Sequence, residues 1–379
     1  MKRNSTSQAG ARHGAAIMSV AAVGLSVLLG ACGSTSTVTP SAAAASSTAS
    51  STASSTASIL PSPSQTESAT STPTGLPAGM VYSDLDGMPA SPDLAHRLPM
   101  AIMIDDNRVA RPQSGFSSAS IVYQAPADGG EDRYMLIFQE GTSSDIGPVR
   151  SARPYFVYWA TEYKPLYGHF GGDSKSLQQV IPALAKSIYN MDDLSGGSCP
   201  YHRITTRVMP HNAYTNSAAL IGCLARTGYP STYQGLPVRP FQNDLPLSQR
   251  PASSSITVPY RTGIVGYQYH PDSDSYLRYV DGKAQIDPAN NQQVVARNII
   301  VLFQALSKDP VDGRPVVANV GSGTALVFKE GQAIKATWKK TSNTALTRLY
   351  DSSGKEIPLV RGEIFIQSVP IGTAVTYKA

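Results

Sequence analysis

The sequence predicts an α/β (or α+β) layered domain followed by a smaller, mainly antiparallel β domain. Three observations predict it. Between residues 80 and 250, short apolar runs of strand length alternate with segments whose apolar residues recur at helical spacing, the order of layered α/β folds. Beyond a Pro-rich stretch at 234–259 the helical spacing stops. Strand-length runs follow, separated by turn-forming Asp281-Gly282, Glu330-Gly331 and Ser353-Gly354. About 300 residues lie beyond the low-complexity N-terminal region, more than one core usually serves, so domains at 80–250 and 251–379 are expected.

In the first domain Met100–Ile104, Ile121–Gln124 and Tyr134–Gln139 read as strands, each a compact apolar run closed by turn residues. Pro154–Lys164 reads as a helix with Pro in its first turn, where a missing N–H costs nothing. Leu166–Phe170 is a further strand, ended by Gly171-Gly172. Asp173 or Ser174 caps a helix whose Leu177, Val180, Ile181, Leu184 and Ile188 share one face, with a kink at Pro182. Thr215 or Asn216 opens another helix through Arg226, closed by Gly228 and Pro230. In the second domain the strands are Gly263–His270, Tyr276–Val280, Asn298–Phe303, Ala325–Lys329, Ala333–Trp338 and Glu363–Val369.

The N-terminus reads as an address. Lys2, Arg3 and Arg12 precede an uncharged stretch from Gly14 to Ala31, and small residues end it, which is the layout of an export signal. The stretch is at the short end of what spans a bilayer as a helix. Leu29-Gly30-Ala31-Cys32 looks like the lipobox of bacterial lipoproteins. That resemblance implies a diacylglyceryl group on the Cys32 sulfur and loss of residues 1–31. An uncleaved transmembrane helix would leave Cys32 unexplained at the point where the signal stops. Two acyl chains, at about 0.8 kcal/mol per buried methylene, hold a protein where one is marginal. Residues 32–79 are then a lipidated Cys and a tether of Ser, Thr, Ala and Pro, with Ser-Ser-Thr-Ala repeated at 46–49, 50–53 and 54–57. So little apolar bulk cannot offset ordering entropy, so the tether is expected to be disordered.

The formal charge of +5 shrinks once the signal is set aside. Removing Lys2, Arg3 and Arg12 from 31 basic residues leaves 28 against 26 acidic ones. A balance of +2 lacks the concentrated basic surface of nucleic-acid binders. Cys199 and Cys223 remain beside Cys32. In an oxidising compartment they most simply form a disulfide, with free thiols as another alternative. A metal site is the sharper alternative, with His202 and His211 between them, but their spacing matches no common zinc pattern. Neither a metal nor a cofactor is expected.

The densest unusual segment is Ile146–Pro154, which sets Arg150, Ser151 and Arg153 directly before a predicted helix. Guanidinium forks suit carboxylate or phosphate, so these residues are candidates to bind an anion, with Arg111 and Arg133 as neighbours. The same arginines could instead brace the sheet against acids. His169–Lys175 places glycines between a strand and a helix, but it is neither a Walker motif nor a dinucleotide fingerprint, and a tight turn is the simpler reading. Asp105-Asp106-Asn107 follows a strand, and His211 follows Met209-Pro210; Asp105 and His211 are the candidates for acid–base work if the protein is an enzyme. There is no G-x-S-x-G elbow and no H-E-x-x-H, and the S-x-x-K match at Ser352–Lys355 falls in a predicted turn.

Taken together, the segments resemble the YerB-like lipoproteins, a bacterial family of uncharacterised function. The resemblance runs from Leu98 to the C-terminus. It rests on Ala101–Asp105, Ala110–Gly115, Ile121–Tyr123, Gly129-Gly130, Arg133–Met135, Ile146–Phe156, Gly171-Gly172 and Pro210–Asn212. In the second half it rests on Asn298–Val301, Gly321–Gly323 and Thr337–Lys340. Asp128 stands where the family pattern has Glu before Gly-Gly, one methylene shorter. The family implies two domains and a surface lipoprotein, and supplies no activity. The expected protein is anchored by lipid to the outer face of the cytoplasmic membrane and binds an anionic or sugar-containing envelope component. The alternatives are an envelope hydrolase acting on a phosphodiester or glycan, and a protein-interaction module.

Overall fold

Strands from both sides of residue 250 join one ten-stranded mixed sheet in the computed structural model, which describes residues 75–195, 201–233 and 235–378. Cys32, the tether up to residue 74 and Cys199 lie outside the described residues. The main strands are, in chain order, β1 (Met100–Asp105), β2 (Ile121–Pro126), β3 (Asp132–Phe138), β4 (Leu166–His169) and β5 (Tyr189–Asp192). Then come β6 (Ser255–Pro259), β7 (Ile264–His270), β8 (Ser275–Val280), β9 (Asn298–Gln304) and β10 (Gly321–Lys329). β11 (Gln332–Lys340), β12 (Arg348–Tyr350), β13 (Ile364–Pro370) and β14 (Thr376–Lys378) complete the set. The large sheet has the order β12-β11-β10-β9-β13-β2-β3-β1-β4-β5. Neighbours β9 and β13, β13 and β2, β1 and β4, and β4 and β5 run parallel, and the remaining neighbours antiparallel. The change of sequence texture near residue 250 is therefore not an edge of this sheet.

Both faces of the sheet are covered, which is why its strands are continuous apolar runs rather than alternating ones. In β9, Ile300 and Leu302 enter one core with Tyr123, Met135 and Ile366, while Ile299 and Val301 enter the other with Val122, Leu136 and Phe365. The first core is capped by α1 (Pro154–Ala160), which buries Tyr155, Phe156, Val157 and Trp159. Trp159 stacks on Tyr123 with ring centroids 5.2 Å apart, and the Tyr123 hydroxyl meets that of Tyr163 at 2.8 Å. The second core is covered by an antiparallel sheet in which β8, β7, β6 and β14 are successive neighbours, and by α2 (Ser217–Thr227). Asn216 caps α2 by accepting the Ala219 N–H at 2.8 Å, and Gly228 closes it at φ 71°, a conformation glycine adopts freely.

The strands read from the sequence are present, with ends shifted by a few residues. One helix differs. Instead of a single helix from 173 to 188, a π-helical turn at Ser176–Val180 runs into Ile181–Ala183 and stops, and β5 follows in parallel beside β4. Pro182 provides the reason, since it offers no N–H to an intrahelical bond. The expected apolar face still packs inward, with Val180, Ile181 and Ile188 buried in the first core. The helix expected at 154–164 ends at Ala160, and β5, β6, β12 and β14 are strands the sequence pattern did not disclose.

Candidate functional site

β1 and β4 pair only over Met100–Ile102 and Leu166–Gly168. Beyond that they part, and residues 148–152 fill the gap as a wedge. The Asp105 N–H donates to Pro148 O at 2.9 Å and the Arg150 N–H to Met103 O at 2.9 Å. On the other side the Phe170 N–H donates to Arg150 O at 3.0 Å and the Ala152 N–H to Gly171 O at 2.9 Å. The distinctive Gly147–Pro154 run is thus a backbone insert at the carboxyl ends of two parallel strands, the position where open α/β sheets form crevices. Gly168 permits the close approach, because a Cβ there would lie 2.5 Å from Ile102 Cδ1.

Asp105 is the hub. It sits opposite Arg133 in the β1–β3 register, and both side chains point to the α1 face of the sheet, as Met103 and Met135 do two residues along. Asp105 Oδ2 meets His211 Nδ1 at 2.6 Å and Arg150 Nε at 3.2 Å, while Oδ1 accepts the Asn107 N–H at 3.0 Å. Arg150 Nη2 lies 3.8 Å from Glu131, which also accepts from the Asn107 amide. The His211 N–H donates to Val208 O at 3.0 Å, and the Asn212 amide pins the same loop through Ile204 O and Arg207 O. Asp105 and His211 therefore come together across more than a hundred residues of sequence. Among the described residues, His211 Nε2 has no hydrogen-bond partner.

The other candidates divide by how fully they are engaged. Arg153 closes its fork on Asp128, donates to Ala152 O and lies 3.8 Å from Asp173, at the wall of a cavity of about 110 Å³ shared with Tyr158, Lys175 and Arg314. Burial lowers its proton affinity, but Asp128 more than restores it. The Ser151 hydroxyl donates to Phe170 O at 3.0 Å. Arg133 is 2% exposed and donates to Ser151 O at 3.0 Å; among the described residues it has no carboxylate within ion-pair distance and its Nε is unpartnered. Burial, with repulsion from Arg153 and Arg150, pulls its guanidinium down to about 10. Arg150 Nε likewise makes no aligned hydrogen bond, its contact with Asp105 being an ion pair only.

Arg111 belongs to the opposite face. It grips Asp106 at 2.9 Å, Gln113 and Gln124 donate to the same buried carboxylate, and the Thr262 hydroxyl oxygen lies 3.1 Å from it. Burial pushes the Asp106 carboxyl up while Arg111 and Arg278 pull it back. Neighbouring Asp132 is raised to about 6 by burial, against two hydrogen bonds from Thr262. Arg278 completes this network inside a cage of rings, donating to Gln124 and Tyr134. No sequence signal singled out Glu131, Thr262 or Arg278; Gln124 within an apolar strand was the one visible oddity. His169 is locked between Gly171 O and Asn190, both at 2.8 Å, and Asp173 caps the Ser176 turn, so that segment is a structural turn. Cys223 is buried on α2 and disulfide-bonded. Among the described residues no cluster of three His, Cys, Asp or Glu is placed to hold a metal, and no helix is long and apolar enough to cross a membrane.

Two family models match the chain: the N-terminal domain of the protein of unknown function DUF3048 over residues 85–230, and its C-terminal domain over 256–366. The chain is 30% identical over 292 residues to YerB of Bacillus subtilis (strain 168), a protein whose name assigns it provisionally to the lipoproteins. That match spans 76% of this chain and 85% of YerB. The crystal structure of YerB from Bacillus subtilis superposes with a TM-score of 0.70 at 27% identity, covering 79% of this chain and 100% of that one.

Proposed function

The chain belongs to the DUF3048 family, and on that premise we propose that it is an envelope lipoprotein that binds an anionic or sugar-containing cell-envelope component beside the wedge. A lipid on Cys32 holds it at the outer face of the cytoplasmic membrane, and the Ser/Thr-rich tether lets the folded body reach its ligand. The lipobox-like Leu29–Cys32 and the name of the YerB relative support the anchor. A Cys32→Ser variant is expected to leave the membrane fraction and to take up no labelled acyl chain, whereas the native chain stays with the membrane and takes up the label. A native chain that takes up no acyl label would refute the anchor.

One observation carries the ligand reading. Two guanidiniums converge on the wedge: Arg133, buried with its Nε unpartnered and no carboxylate in ion-pair distance among the described residues, and Arg150, partly exposed and ion-paired with Asp105 and Glu131. Unpartnered buried donors cost stability, and an anion is the partner that satisfies them. Arg150, 17% exposed at its side chain, is the ligand-facing one, and Arg133 is the unbalanced charge behind it. Arg153, closed on Asp128, shapes the wall rather than gripping. Titration calorimetry of the whole chain with poly(glycerol phosphate), and with neutral dextran as comparison, tests this. Binding to the phosphate polymer is expected to weaken with salt and to fall roughly 10–100-fold in Arg150→Ala, the value of a charge-assisted hydrogen bond. Equal affinity in that variant sinks the reading.

A further inference from the structure

We propose that the wedge site also cleaves what it binds, hydrolysing a phosphodiester with His211 as general base; this rests on the anion-binding reading above. Three features of one cluster point there. His211 Nδ1 faces a carboxylate oxygen of Asp105 at 2.6 Å, and a carboxylate can only accept, so Nδ1 is the donor; in the neutral imidazole that leaves the lone pair on Nε2. That oxygen is itself fixed from a second direction by Arg150, and its twin by the Asn107 N–H, so the imidazole is held in one tautomer and orientation. Nε2 is free among the described residues, and the His211 side chain is 14% exposed. A His that merely braced the sheet would spend both nitrogens inside the protein, as buried His169 does on Gly171 O and Asn190.

The chemistry closes on these groups. A diester phosphate lies with its non-bridging oxygens on Arg150, which neutralises charge as it builds on them. A water on Nε2 yields its proton there as its oxygen attacks phosphorus. The P–O bond to the leaving alcohol breaks, and the proton on Nε2 passes to that alkoxide. One water is consumed, and the products are a phosphomonoester and an alcohol. His211 is the catalytic residue; Asp105 is a positioning residue that acts through it. The nucleophile proposed is a water held on Nε2.

The experiment incubates the whole chain with poly(glycerol phosphate) and counts the phosphomonoester ends that appear. The native chain is expected to produce them. His211→Gln and Asp105→Asn are expected to slow release by roughly 10²–10⁴-fold, the usual share of general acid–base catalysis. Imidazole added to His211→Ala is expected to restore part of the rate, which no structural role would do. The exposed Arg108→Ala serves as the unaffected control. Native chain that binds the polymer by calorimetry yet releases no ends overturns the hydrolysis while leaving the binding reading intact. A His211→Gln rate equal to the native one overturns it as well. Failure to bind at all overturns the reading beneath it.

Discussion

Arg278→Ala is expected to cost about 4 kcal/mol of stability, the range for leaving a buried charge network without its cation. The guanidinium is wholly buried, with ring centroids of Phe116, Tyr134, Tyr267 and Phe365 all within 6 Å of its central carbon. It donates to Tyr267 at 3.2 Å, Gln124 at 2.9 Å and Tyr134 at 3.2 Å, and also to Gln285. Burial lowers its proton affinity, but Tyr134 and Tyr267 hold it above the ordinary value. Truncation therefore opens a cavity, orphans several acceptors and removes one of the cations that pull Asp106 down. The loss should depend on pH. Without Arg278 the folded-state affinity of Asp106 for a proton rises further above its unfolded value. Stability from such a group is present at low pH and disappears as pH climbs through the folded value. Urea unfolding should thus show a larger deficit at pH 8 than at pH 5, and equal deficits would refute the coupling.

The second large effect is expected at Lys340, in the Thr337–Lys340 segment. Its ammonium lies 2.8 Å from Glu162, with both side chains wholly buried, and it also donates to Ala345 O. Glu162 is otherwise held by the Thr347 N–H at 2.9 Å and hydroxyl at 2.7 Å, with Arg239 3.6 Å away. Lys340→Met keeps the volume but strips the main counter-charge, so a loss of about 3–5 kcal/mol is expected. Pairing it with Glu162→Gln should recover about 2 kcal/mol of that, because the orphaned charge goes with its partner. Additive losses in a denaturant double-mutant cycle would show that the pair is not coupled. The pair joins β11 to the segment just after α1, so it ties the β10–β11 hairpin to the layer over the first core.

Much of the layout was legible because it rests on local pattern. Strand-length apolar runs, Asn216 before α2, Gly228 after it and the turn pairs at 281–282 and 330–331 act within a few residues of themselves. What escaped depends on distant partners. Arg278 stands within a predicted strand like any solvent-facing cation, and its acceptors Gln124 and Tyr134 lie in another part of the chain. The Gly147–Pro154 run was visible as unusual, but its insertion between β1 and β4 follows from where two other strands separate. Asp105 and His211 each looked usable as acid or base; no spacing rule joins residues so far apart. The arginines read as one anion-binding group separate, once placed, into Arg111 and Arg153 closed on acids, Arg150 partly exposed beside Asp105 and Glu131, and Arg133 without a carboxylate partner among the described residues.

The position of β13 bears on how the protein is made. Its residues Ile364–Gln367 complete the β2 edge at Ile121–Gln124, and the same strand pairs along β9. A chain that emerges N-terminus first therefore holds an open, apolar edge at β2 until residues 364–367, more than 200 positions later, have arrived. Such edges invite pairing with other chains, and long-range parallel pairing closes slowly. Folding of this protein should accordingly lean on a holding factor while the chain is incomplete. A chain cut near residue 250 would keep that edge permanently bare, so shortened versions are expected to aggregate rather than to act as a smaller copy of the N-terminal half.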